Sequence, residues 1–322
     1  MDERRVGRSG LRVSELALGT MTWGRETDAD VAAAQLRAFG DAGGTLVDTA
    51  VSYGGGRAEK MLGALLADPG IRADLVLSAK AGIARTGDAR RVDASRGALL
   101  RDLDVSLTRL GVDHLDLWQV HTVDALVPID ETLSALDAAV TSGKVRYVGV
   151  SNYSGWRLAQ AATWQRAVPG RAPLVSDQVE YSLLERGIER ELLPACLDHG
   201  VGIISYSPLG GGVLTGKYRE TVPADSRAAA GGWGVADYAS RRAAGIVEAV
   251  AIAAEGLGAS TVAVALGWIR RRPGVASSII GARTQAQLTA ALQTLNVVIP
   301  VEISTALDEV LAPLIGYPED AL

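Results

Sequence analysis

Cysteine is nearly absent from this sequence, and histidine is rare. The 322 residues include one cysteine, Cys196, so no disulfide can form within the chain. Cys196 lies in the segment LLPACLDHG, on an apolar stripe with helical spacing, which favours a small core residue over a nucleophile. The three histidines and this one cysteine show no metal-ligand spacing, so the sequence predicts neither a disulfide scaffold nor a metal site.

The sequence also lacks a basic excess and an apolar N-terminus. Its formal net charge is −5, which argues against a general nucleic-acid binder, because such proteins need a basic face. The opening residues, MDERRVGRSG, contain no apolar stretch and are not a secretory signal, so we expect a cytoplasmic protein. Hydrophobic residues make up 48% of the chain, which predicts a globular fold rather than a disordered one.

No uninterrupted apolar run is long enough to predict a transmembrane helix. The best candidate, residues 246–269, contains Glu248 and Glu255, and a carboxylate in a bilayer is costly. The Gly-Ala-Ser sequence at residues 258–260 predicts that one helix ends and another begins. We therefore expect two packed helices in a soluble protein and no membrane partner.

The dinucleotide-binding fingerprint Gly-x-Gly-x-x-Gly is missing after the first apolar run, which reads LALGTMTWG. Its absence weakens the case for a doubly wound sheet. What the sequence does contain is an alternation of strand-like apolar runs with segments of helical periodicity. The eight runs are residues 16–20, 45–50, 75–80, 115–121, 145–152, 174–181, 202–208 and 277–282. This pattern predicts a (β/α)8 TIM barrel forming one domain over residues 1–322.

Segments outside the eight repeats predict additions to the barrel. The sequence RRVGRSGLRVSEL predicts an N-terminal β-hairpin, turning at Arg8-Ser9-Gly10, that plugs one end of the barrel. Extra helices and loops are expected at the C-terminal end. The longest irregular insert, residues 210–234, predicts a lid over a site, because loops of this length are uncommon without a function.

Polar residues stand where the predicted strands end. Asp48, Lys80 and His121 follow three consecutive strand patterns, and Tyr53 follows Asp48 in the next loop. Since the carboxyl ends of barrel strands form one rim, these side chains should converge. Taken singly, the histidine or the tyrosine is more often structural, but together they form a plausible acid–base set.

The four residues suggest a proton donor aimed at a carbonyl oxygen. A phenol has a pKa near ~10, and a neighbouring ammonium would lower it. Lys80 is the candidate ammonium, Asp48 its counter-ion, and His121 the group that positions the carbonyl beside Tyr53. No nucleophile with a matched base is present, so covalent catalysis is not predicted.

Reduction of a carbonyl also needs a hydride, which side chains cannot supply, so a nicotinamide or flavin is implied. Tyr206 could stack on a nicotinamide ring, and Ser151, Asn152 and Gln178 could bind its carboxamide. The segment GARTQAQL opens a helix after the eighth strand, and helix N-termini bind phosphate. Arg283 in that segment favours NADP(H) over NAD(H), because it can pair with a 2′-phosphate.

The same segments resemble the aldo-keto reductase family over nearly the whole chain. VDTAVSYGGGRAEKMLG resembles the family's Asp…Tyr…Glu…Gly segment, SAKAG its lysine strand and LDLWQVHTVD its histidine strand. KVRYVGVSNYS and SYSPLGGGVLTGKY are similar to two further family blocks, in wording closest to the bacterial branch that includes potassium-channel β subunits. The resemblance implies a catalytic tetrad of Asp48, Tyr53, Lys80 and His121, with Tyr53 as general acid.

The resemblance also implies NADP(H) bound in an extended pose and small-molecule substrates that are aldehydes, ketones or sugars. The cofactor residues it implies are Gly19, Thr20, Met21, Asp48, Ser151, Asn152, Gln178, Tyr206, Ser207, Pro208, Leu209, Gly210, Gly212, Lys217, Gly281, Ala282, Arg283 and Gln287. Where the family often has Glu-Asn near the adenine, this sequence has Ala290 and Ala291, which predicts either a lower cofactor affinity or a weaker NADP preference.

The pocket and the alternative functions are less constrained. We predict that Tyr53 and His121 face the substrate and that the pocket walls include Trp23, Trp118 and Trp233. One alternative is an NADP(H)-binding redox-sensing subunit with little turnover. Another, a glycosidase using Asp177 and Glu180, is disfavoured because residues three apart on a strand face opposite sides. The sequence does not identify the substrate, and it does not decide whether the protein is a monomer or a homo-oligomer.

Overall fold

A closed ring of parallel strands forms the centre of the molecule. The computed structural model describes residues 1–86, 89–219 and 241–313, together with Pro223, Ser226, Tyr238 and Gly316. Its strands are β1 (Glu3–Arg5), β2 (Arg12–Ser14), β3 (Leu16–Gly19), β4 (Leu46–Asp48), β5 (Val76–Ala81), β6 (Ile83–Thr86), β7 (Ala89–Val92), β8 (Leu115–Val120), β9 (Val145–Ser151), β10 (Leu174–Glu180), β11 (Gly202–Tyr206) and β12 (Val275–Gly281). The barrel runs in the order β3-β4-β5-β8-β9-β10-β11-β12 and closes from β12 back to β3.

Helices follow the barrel strands along the chain, so the predicted (β/α)8 barrel is confirmed. The helices are α1 (Ala29–Asp41), α2 (Arg57–Leu66), α3 (Pro69–Ala73), α4 (Arg96–Leu110), α5 (Ile129–Thr141), α6 (Gly155–Ala167), α7 (Leu192–His199), α8 (Arg241–Gly256), α9 (Thr261–Arg270), α10 (Gln285–Gln293) and α11 (Val301–Val310). Asp28, Ser95, Ser260 and Thr284 cap four of them, each accepting a hydrogen bond from a backbone N–H of the first turn. Helix α11 is the expected C-terminal addition.

The predicted N-terminal hairpin is present and closes the floor of the barrel. β1 and β2 pair antiparallel, and between them they bury Val6, Leu11 and Val13. These side chains pack in one cluster with Leu46 and Leu117 from the barrel strands. Because apolar side chains fill this end, the open end of the barrel is the one where the strands reach their carboxyl termini.

A second hairpin was not predicted. β6 and β7 pair antiparallel in the connection between β5 and α4. The segment IARTGDARRVD has no alternation of apolar and polar residues, so its strand character was not visible in the periodicity. This hairpin follows Lys80 at the carboxyl end of β5, and therefore stands beside the open rim.

The apolar stretch at residues 246–269 folds as two helices, as expected. α8 and α9 are bent by 100° relative to one another, and Ser260 caps the second. In the described part of the chain, no helix taken alone is long and apolar enough to cross a membrane. Two bent pairs, α8 with α9 and α10 with α11, meet those limits of length and composition only in combination.

Alternate residues of the strands face the barrel interior and the surrounding helices. On β10, Gln178 points inward, where it contacts Asp48. Its neighbour Asp177 therefore points outward, and it is completely buried between the barrel and the helices. The charge of Asp177 also acts on the Cys196 thiol, which is itself fully buried on α7 as expected for a core residue. Burial raises the pKa of Asp177 to about 8.

Asp177→Asn should remove a pH-dependent loss of stability. An aspartate in the unfolded chain has a pKa near ~3.9, so between that pH and about 8 the folded state holds a proton that the unfolded state has released. The contribution of Asp177 to the free energy of unfolding is therefore fully present below pH ~4 and is lost as the pH rises, by up to about 1.4 kcal/mol per pH unit. Urea unfolding of wild type and variant at several pH values measures the difference.

The matched control is Asp198→Asn, because the Asp198 side chain is 86% exposed. This variant should keep the wild-type dependence on pH. An equal slope in wild type and Asp177→Asn between about pH 5 and 8 would show that the buried carboxyl does not hold its proton.

Candidate active site

A buried ion pair lies at the carboxyl ends of β4 and β5. Lys80 Nζ donates to both carboxylate oxygens of Asp48, at 2.7 and 2.6 Å. The Lys80 side chain has no exposed surface and that of Asp48 is 3% exposed. Burial lowers the pKa of Lys80, and the Asp48 carboxylate opposes that effect. The predicted pairing of these two residues is therefore present, with the two charges largely cancelling.

Tyr53 stands over this pair on the turn that follows β4. The turn is a short 3-10 helix, Tyr53–Gly56, in which Gly54 and Gly55 both have left-handed backbone angles, with φ of 58° and 68°. Side chains other than glycine rarely adopt such angles, so the glycines allow the chain to reverse within four residues. Lys80 Nζ lies 5.1 Å from the centre of the Tyr53 ring.

His121 completes the predicted set from the end of β8. Its ring meets the Tyr53 ring edge-on, with 5.9 Å between ring centres and an interplanar angle of 79°. Its backbone N–H donates to the Ala81 carbonyl on the neighbouring strand, at 2.9 Å. The four residues that the sequence singled out are thus brought together at one point of the rim.

The electrostatic effect on Tyr53 differs from the sequence expectation. Burial, followed by the negative charge of Asp48, raises the pKa of Tyr53 well above its ordinary value near 10. The expected lowering by Lys80 is wrong, because the ammonium is neutralised by the carboxylate that it touches. Tyr53 consequently remains protonated throughout the neutral range and can act as a proton donor, but not readily as a phenolate.

A layer of polar side chains below the ion pair was missed in the sequence. Ser78 donates to Asp48 Oδ1 at 3.3 Å, Gln119 donates to Ser78 at 3.1 Å, and Ser176 donates to Gln119 at 3.0 Å. All of these side chains are buried. Each stands two residues before a predicted site residue, on the same strand face, and that period of two is the signal that could have found them.

Gly149 makes room for this layer. A Cβ atom there would lie 2.1 Å from Ser176 Oγ. Glycine at position 149 therefore leaves the space that Ser176 occupies in the hydrogen-bonded layer, and a larger side chain would displace Ser176.

The ends of β9 and β11 are joined by a hydrogen-bonded group of predicted cofactor residues. Tyr206 Oη donates to Asn152 Oδ1 at 2.9 Å, and Asn152 Nδ2 donates to Ser151 Oγ and to the His121 carbonyl, both at 3.0 Å. Asn152 and Ser207 have positive φ values, 60° and 51°. Such backbone angles cost of order 1–3 kcal/mol in residues other than glycine and concentrate at ligand sites.

Gln178 is already engaged in the site. Its amide Nε2 donates to Asp48 Oδ1 at 2.8 Å, so it connects the cofactor residues on β10 to the ion pair. Ser151 Oγ donates to the Gln178 backbone carbonyl at 2.7 Å.

A glycine-rich segment follows β11, where the predicted lid begins. Gly210, Gly211 and Gly212 have φ values of 53°, 62° and 97°. A Cβ at Gly212 would lie 3.1 Å from Lys217 Nζ, so the ammonium occupies the space that the glycine leaves open. The Gly210 and Gly212 N–H groups already donate to the Ser207 and Leu209 carbonyls, so the Lys217 ammonium is the group here that fits an anion such as a diphosphate. Most of residues 220–234, and with them Trp233, lie outside the described residues.

The end of β12 and the start of α10 form the third predicted cofactor segment. Gly281 is exposed, and no atom stands within 4 Å of where its Cβ would be. The Arg283 backbone N–H donates to Gln287 Oε1 at 2.9 Å, and its guanidinium lies 3.8 Å from the Glu26 carboxylate. This helix start, with Arg283 beside it, fits a phosphate-bearing ligand.

The last residue of β3 and the two residues after it differ in their exposure to solvent. At Gly19 a Cβ would lie 2.7 Å from Ile279 Cγ2, so packing by itself accounts for the glycine. Thr20 is fully buried and donates to the Asp48 carbonyl at 3.1 Å. Met21 is 41% exposed and is the member of this group that is accessible to a ligand.

Two of the predicted pocket walls are core residues. Trp23 has no exposed surface, and its Nε1 donates to Gln35 Oε1 at 2.9 Å. Trp118 is also completely buried and points outward from β8, since its neighbour Gln119 points inward. The prediction that these two side chains line a substrate pocket is therefore corrected.

Among the described residues, no group of three or more His, Cys, Asp or Glu could hold a metal ion.

Comparison with known proteins matches the chain to one family. The family model of the Aldo/keto reductase family matches residues 15–312. An uncharacterized oxidoreductase of Bacillus subtilis is 36% identical to this chain, with 96% of each chain covered. The L-glyceraldehyde 3-phosphate reductase of Escherichia coli is also 36% identical, with 92% of this chain and 88% of that protein covered.

A third relative has a different kind of name. A probable voltage-gated potassium channel subunit beta of Oryza sativa is 34% identical, with 99% of this chain and 98% of that protein covered. The relatives therefore include both oxidoreductases and a protein named as a channel subunit.

Lys80→Met should destabilise the fold strongly, because it leaves the Asp48 carboxylate buried without its cation. Breaking one side of a buried pair costs about 3–5 kcal/mol, and the double variant Lys80→Met/Asp48→Leu should recover part of that loss. Urea unfolding measures the three free energies. The control is Lys144→Met, which breaks the exposed pair with Asp104 and should cost less than about 1 kcal/mol. Similar losses in Lys80→Met and Lys144→Met would contradict the role assigned to the buried pair.

Proposed function

The chain belongs to the aldo/keto reductase family, and on that basis we propose that it is an NADP(H)-dependent oxidoreductase that reduces aldehyde or ketone carbonyls, including those of sugars, to alcohols. The observation that carries the proposal is the position of Tyr53 over the Lys80–Asp48 pair and against His121. A protonated phenol at the open rim of a barrel is a proton donor suited to a small molecule entering from solvent. The expected location is the cytoplasm.

The residues of this chain donate the proton and hold the substrate oxygen that receives it. Tyr53 donates its hydroxyl proton to the carbonyl oxygen of the substrate, and the His121 imidazole beside the phenol holds that oxygen in place. A bound nicotinamide supplies the hydride to the carbonyl carbon. Together, one hydride and one proton convert the carbonyl to the alcohol.

The Lys80–Asp48 pair has a specific part in this step. When Tyr53 loses its proton, negative charge develops on the phenol oxygen, and the nearby ammonium stabilises it. In the resting state the Asp48 carboxylate cancels that ammonium, and burial keeps the pKa of Tyr53 high. The acid is therefore fully protonated before the reaction, and the ammonium stabilises the charge that forms on it only as far as Asp48 leaves that ammonium uncompensated.

The cofactor residues would hold NADP(H) along one side of the rim. Asn152, Ser151 and Gln178 present amide and hydroxyl groups near Asp48, where a carboxamide would bind. Lys217, beside the glycines after β11, would hold the diphosphate, and Arg283 a 2′-phosphate. The support for this arrangement is that glycines with Lys217 follow β11, and Gly281 with Arg283 stands at the end of β12, in the same barrel whose strand β4 leads to the tyrosine.

An alternative function has an observation in its favour. The relative from Oryza sativa is named as a potassium channel subunit, so this chain could be an NADP(H)-binding redox-sensing subunit with little turnover. The presence of all four proton-transfer residues favours an enzyme. The two functions differ in turnover: release of product many times per bound cofactor identifies the enzyme, and tight cofactor retention with hardly any product identifies the sensor.

Tyr53→Phe should lower kcat for aldehyde reduction by about 10²–10⁴-fold, because it removes the proton donor and keeps the ring. NADPH affinity should stay within about twofold, since the hydroxyl is not among the cofactor contacts. Loss of NADPH absorbance with a panel of aldehydes and ketones measures kcat. The control is Tyr147→Phe, which changes a tyrosine that packs at the opposite, closed end of the barrel. Full activity in Tyr53→Phe would reject the mechanism.

Arg283→Ala should weaken NADPH binding about tenfold and NADH binding less than twofold. A charge-assisted contact with a 2′-phosphate is worth about 1.5–3 kcal/mol, and tenfold in affinity is about 1.4 kcal/mol. Quenching of tryptophan fluorescence on titration with each dinucleotide measures both dissociation constants. Arg12→Ala, which removes an exposed arginine of the floor hairpin, is the control and should change neither. Equal losses for the two dinucleotides would place the 2′-phosphate elsewhere.

A further inference from the structure

Arg109 on α4 reaches the turn that carries Tyr53. Its guanidinium Nη1 donates to the Val51 backbone carbonyl at 2.9 Å, and this carbonyl lies two residues before the tyrosine. The same nitrogen donates to Glu59 Oε2 at 3.0 Å, six residues after it. One side chain from a different helix therefore contacts the chain on both sides of Tyr53.

Glu59 holds the guanidinium in place. It lies in the first turn of α2, is completely buried, and accepts a hydrogen bond from Ser106 Oγ at 2.6 Å with its other carboxylate oxygen. Burial raises the pKa of Glu59, while the hydrogen bonds from Ser106 and Arg109 oppose the rise. A carboxylate buried this deeply is stable only with such partners, so Glu59, Ser106 and Arg109 form one unit.

Gly56 shows how closely the guanidinium fits the turn. Its φ is 90°, and a Cβ there would lie 2.3 Å from Arg109 Cζ. The arginine thus occupies the space beside the last residue of the Tyr53–Gly56 turn. Both a side chain and a different backbone angle at Gly56 would push the turn away from α4.

Few other interactions fix the position of the Tyr53–Gly56 turn. Three of its four residues, Gly54, Gly55 and Gly56, have no side chain, and the side chain of Ser52 before it forms no cap. The Val51 N–H donates to the Lys80 carbonyl at 3.0 Å, and the Tyr53 N–H donates to the Ala50 carbonyl at 3.0 Å. The Val51 peptide is therefore fixed on one side by the strand that carries Lys80 and on the other by Arg109.

We propose that Arg109, held by Glu59 and Ser106, is a positioning residue that fixes the turn bearing Tyr53, so that the phenol hydroxyl keeps its place relative to Lys80 and His121. The inference rests on the proposed function, in which Tyr53 is the proton donor. Arg109 acts through the backbone of residues 51–56 and not on the substrate or the cofactor. Its loss should consequently slow proton transfer and leave binding unchanged, because displacement of a reacting group by about 1 Å can cost about 10²-fold in rate.

The first test is the kinetics of Arg109→Lys. Lysine keeps the charge beside Glu59 but lacks the planar guanidinium that packs beside Gly56 while Nη1 reaches both acceptors, so kcat should fall about 10–100-fold. KM for the aldehyde and the dissociation constant for NADPH should each stay within about twofold. The matched control is Arg101→Lys on the same helix, where the side chain is 65% exposed and pairs with Asp102. That variant should behave as wild type.

The second test is chemical rescue, which a merely structural role would not show. In Arg109→Ala the space beside Gly56 is vacated, so free guanidinium ion at millimolar concentration should restore part of kcat. The same concentration of sodium chloride should not, and guanidinium should not restore Tyr53→Phe. Arg109→Lys, in which the site is filled, is the control and should not respond to guanidinium. An active Arg109→Ala whose kcat guanidinium does not raise counts against the positioning role, and if Arg109→Ala cannot be purified, hydrogen exchange of Arg109→Lys decides.

The third measurement does not depend on turnover. Amide hydrogen exchange of the peptide covering residues 51–56 should become at least about tenfold faster in Arg109→Lys, and unchanged in Arg101→Lys. Unchanged exchange, or unchanged kcat in an active wild-type background, overturns the positioning role and leaves the proposed function intact. A wild type that reduces no carbonyl overturns the proposed function, and exchange then still decides whether Arg109 holds the turn.

Discussion

The contact between the Lys80 ammonium and the Asp48 carboxylate is the interaction on which the site depends. Both groups are buried at the ends of adjacent strands, where neither charge would be stable without the other. Gln178 and Ser78 both donate to Oδ1 of this carboxylate, which also accepts from Lys80. The result is a fixed and nearly neutral unit below Tyr53. The phenol above it keeps its proton. When that proton leaves, the Lys80 ammonium, 5.1 Å from the ring centre, attracts the negative charge that forms.

The barrel provides two supports for this unit, and each comes from a different direction. From below, Ser176 and Gln119 extend the hydrogen-bonded chain across the interior, so the ion pair rests on polar groups rather than on apolar ones. From outside, Arg109 and Glu59 connect the Tyr53 turn to a neighbouring helix. The reacting groups stand at an open rim, but most of what holds them is buried. This is how a barrel combines access for a substrate with precise geometry.

Much of the fold was predictable because strands and helices leave periodic patterns. All eight barrel strands appear within a few residues of the predicted segments, together with the floor hairpin and the break between α8 and α9. The hairpin of β6 and β7 was not predictable in this way, because its apolar and polar residues do not alternate. The convergence of Asp48, Lys80 and His121 was predictable for a topological reason. Parallel strands of a barrel end at the same rim, so polar residues at those ends must meet.

The amino-acid sequence by itself determined which residues end the strands, and therefore which chemical groups reach the rim. Only the tertiary structure decided their surroundings. It placed Trp23 and Trp118 in the core, since the side of a strand or loop that is buried depends on what packs against it. It set the direction of the pKa change at Tyr53, because burial and the cancellation of Lys80 by Asp48 are properties of distances between segments. No local pattern carries those distances, and the folded barrel does.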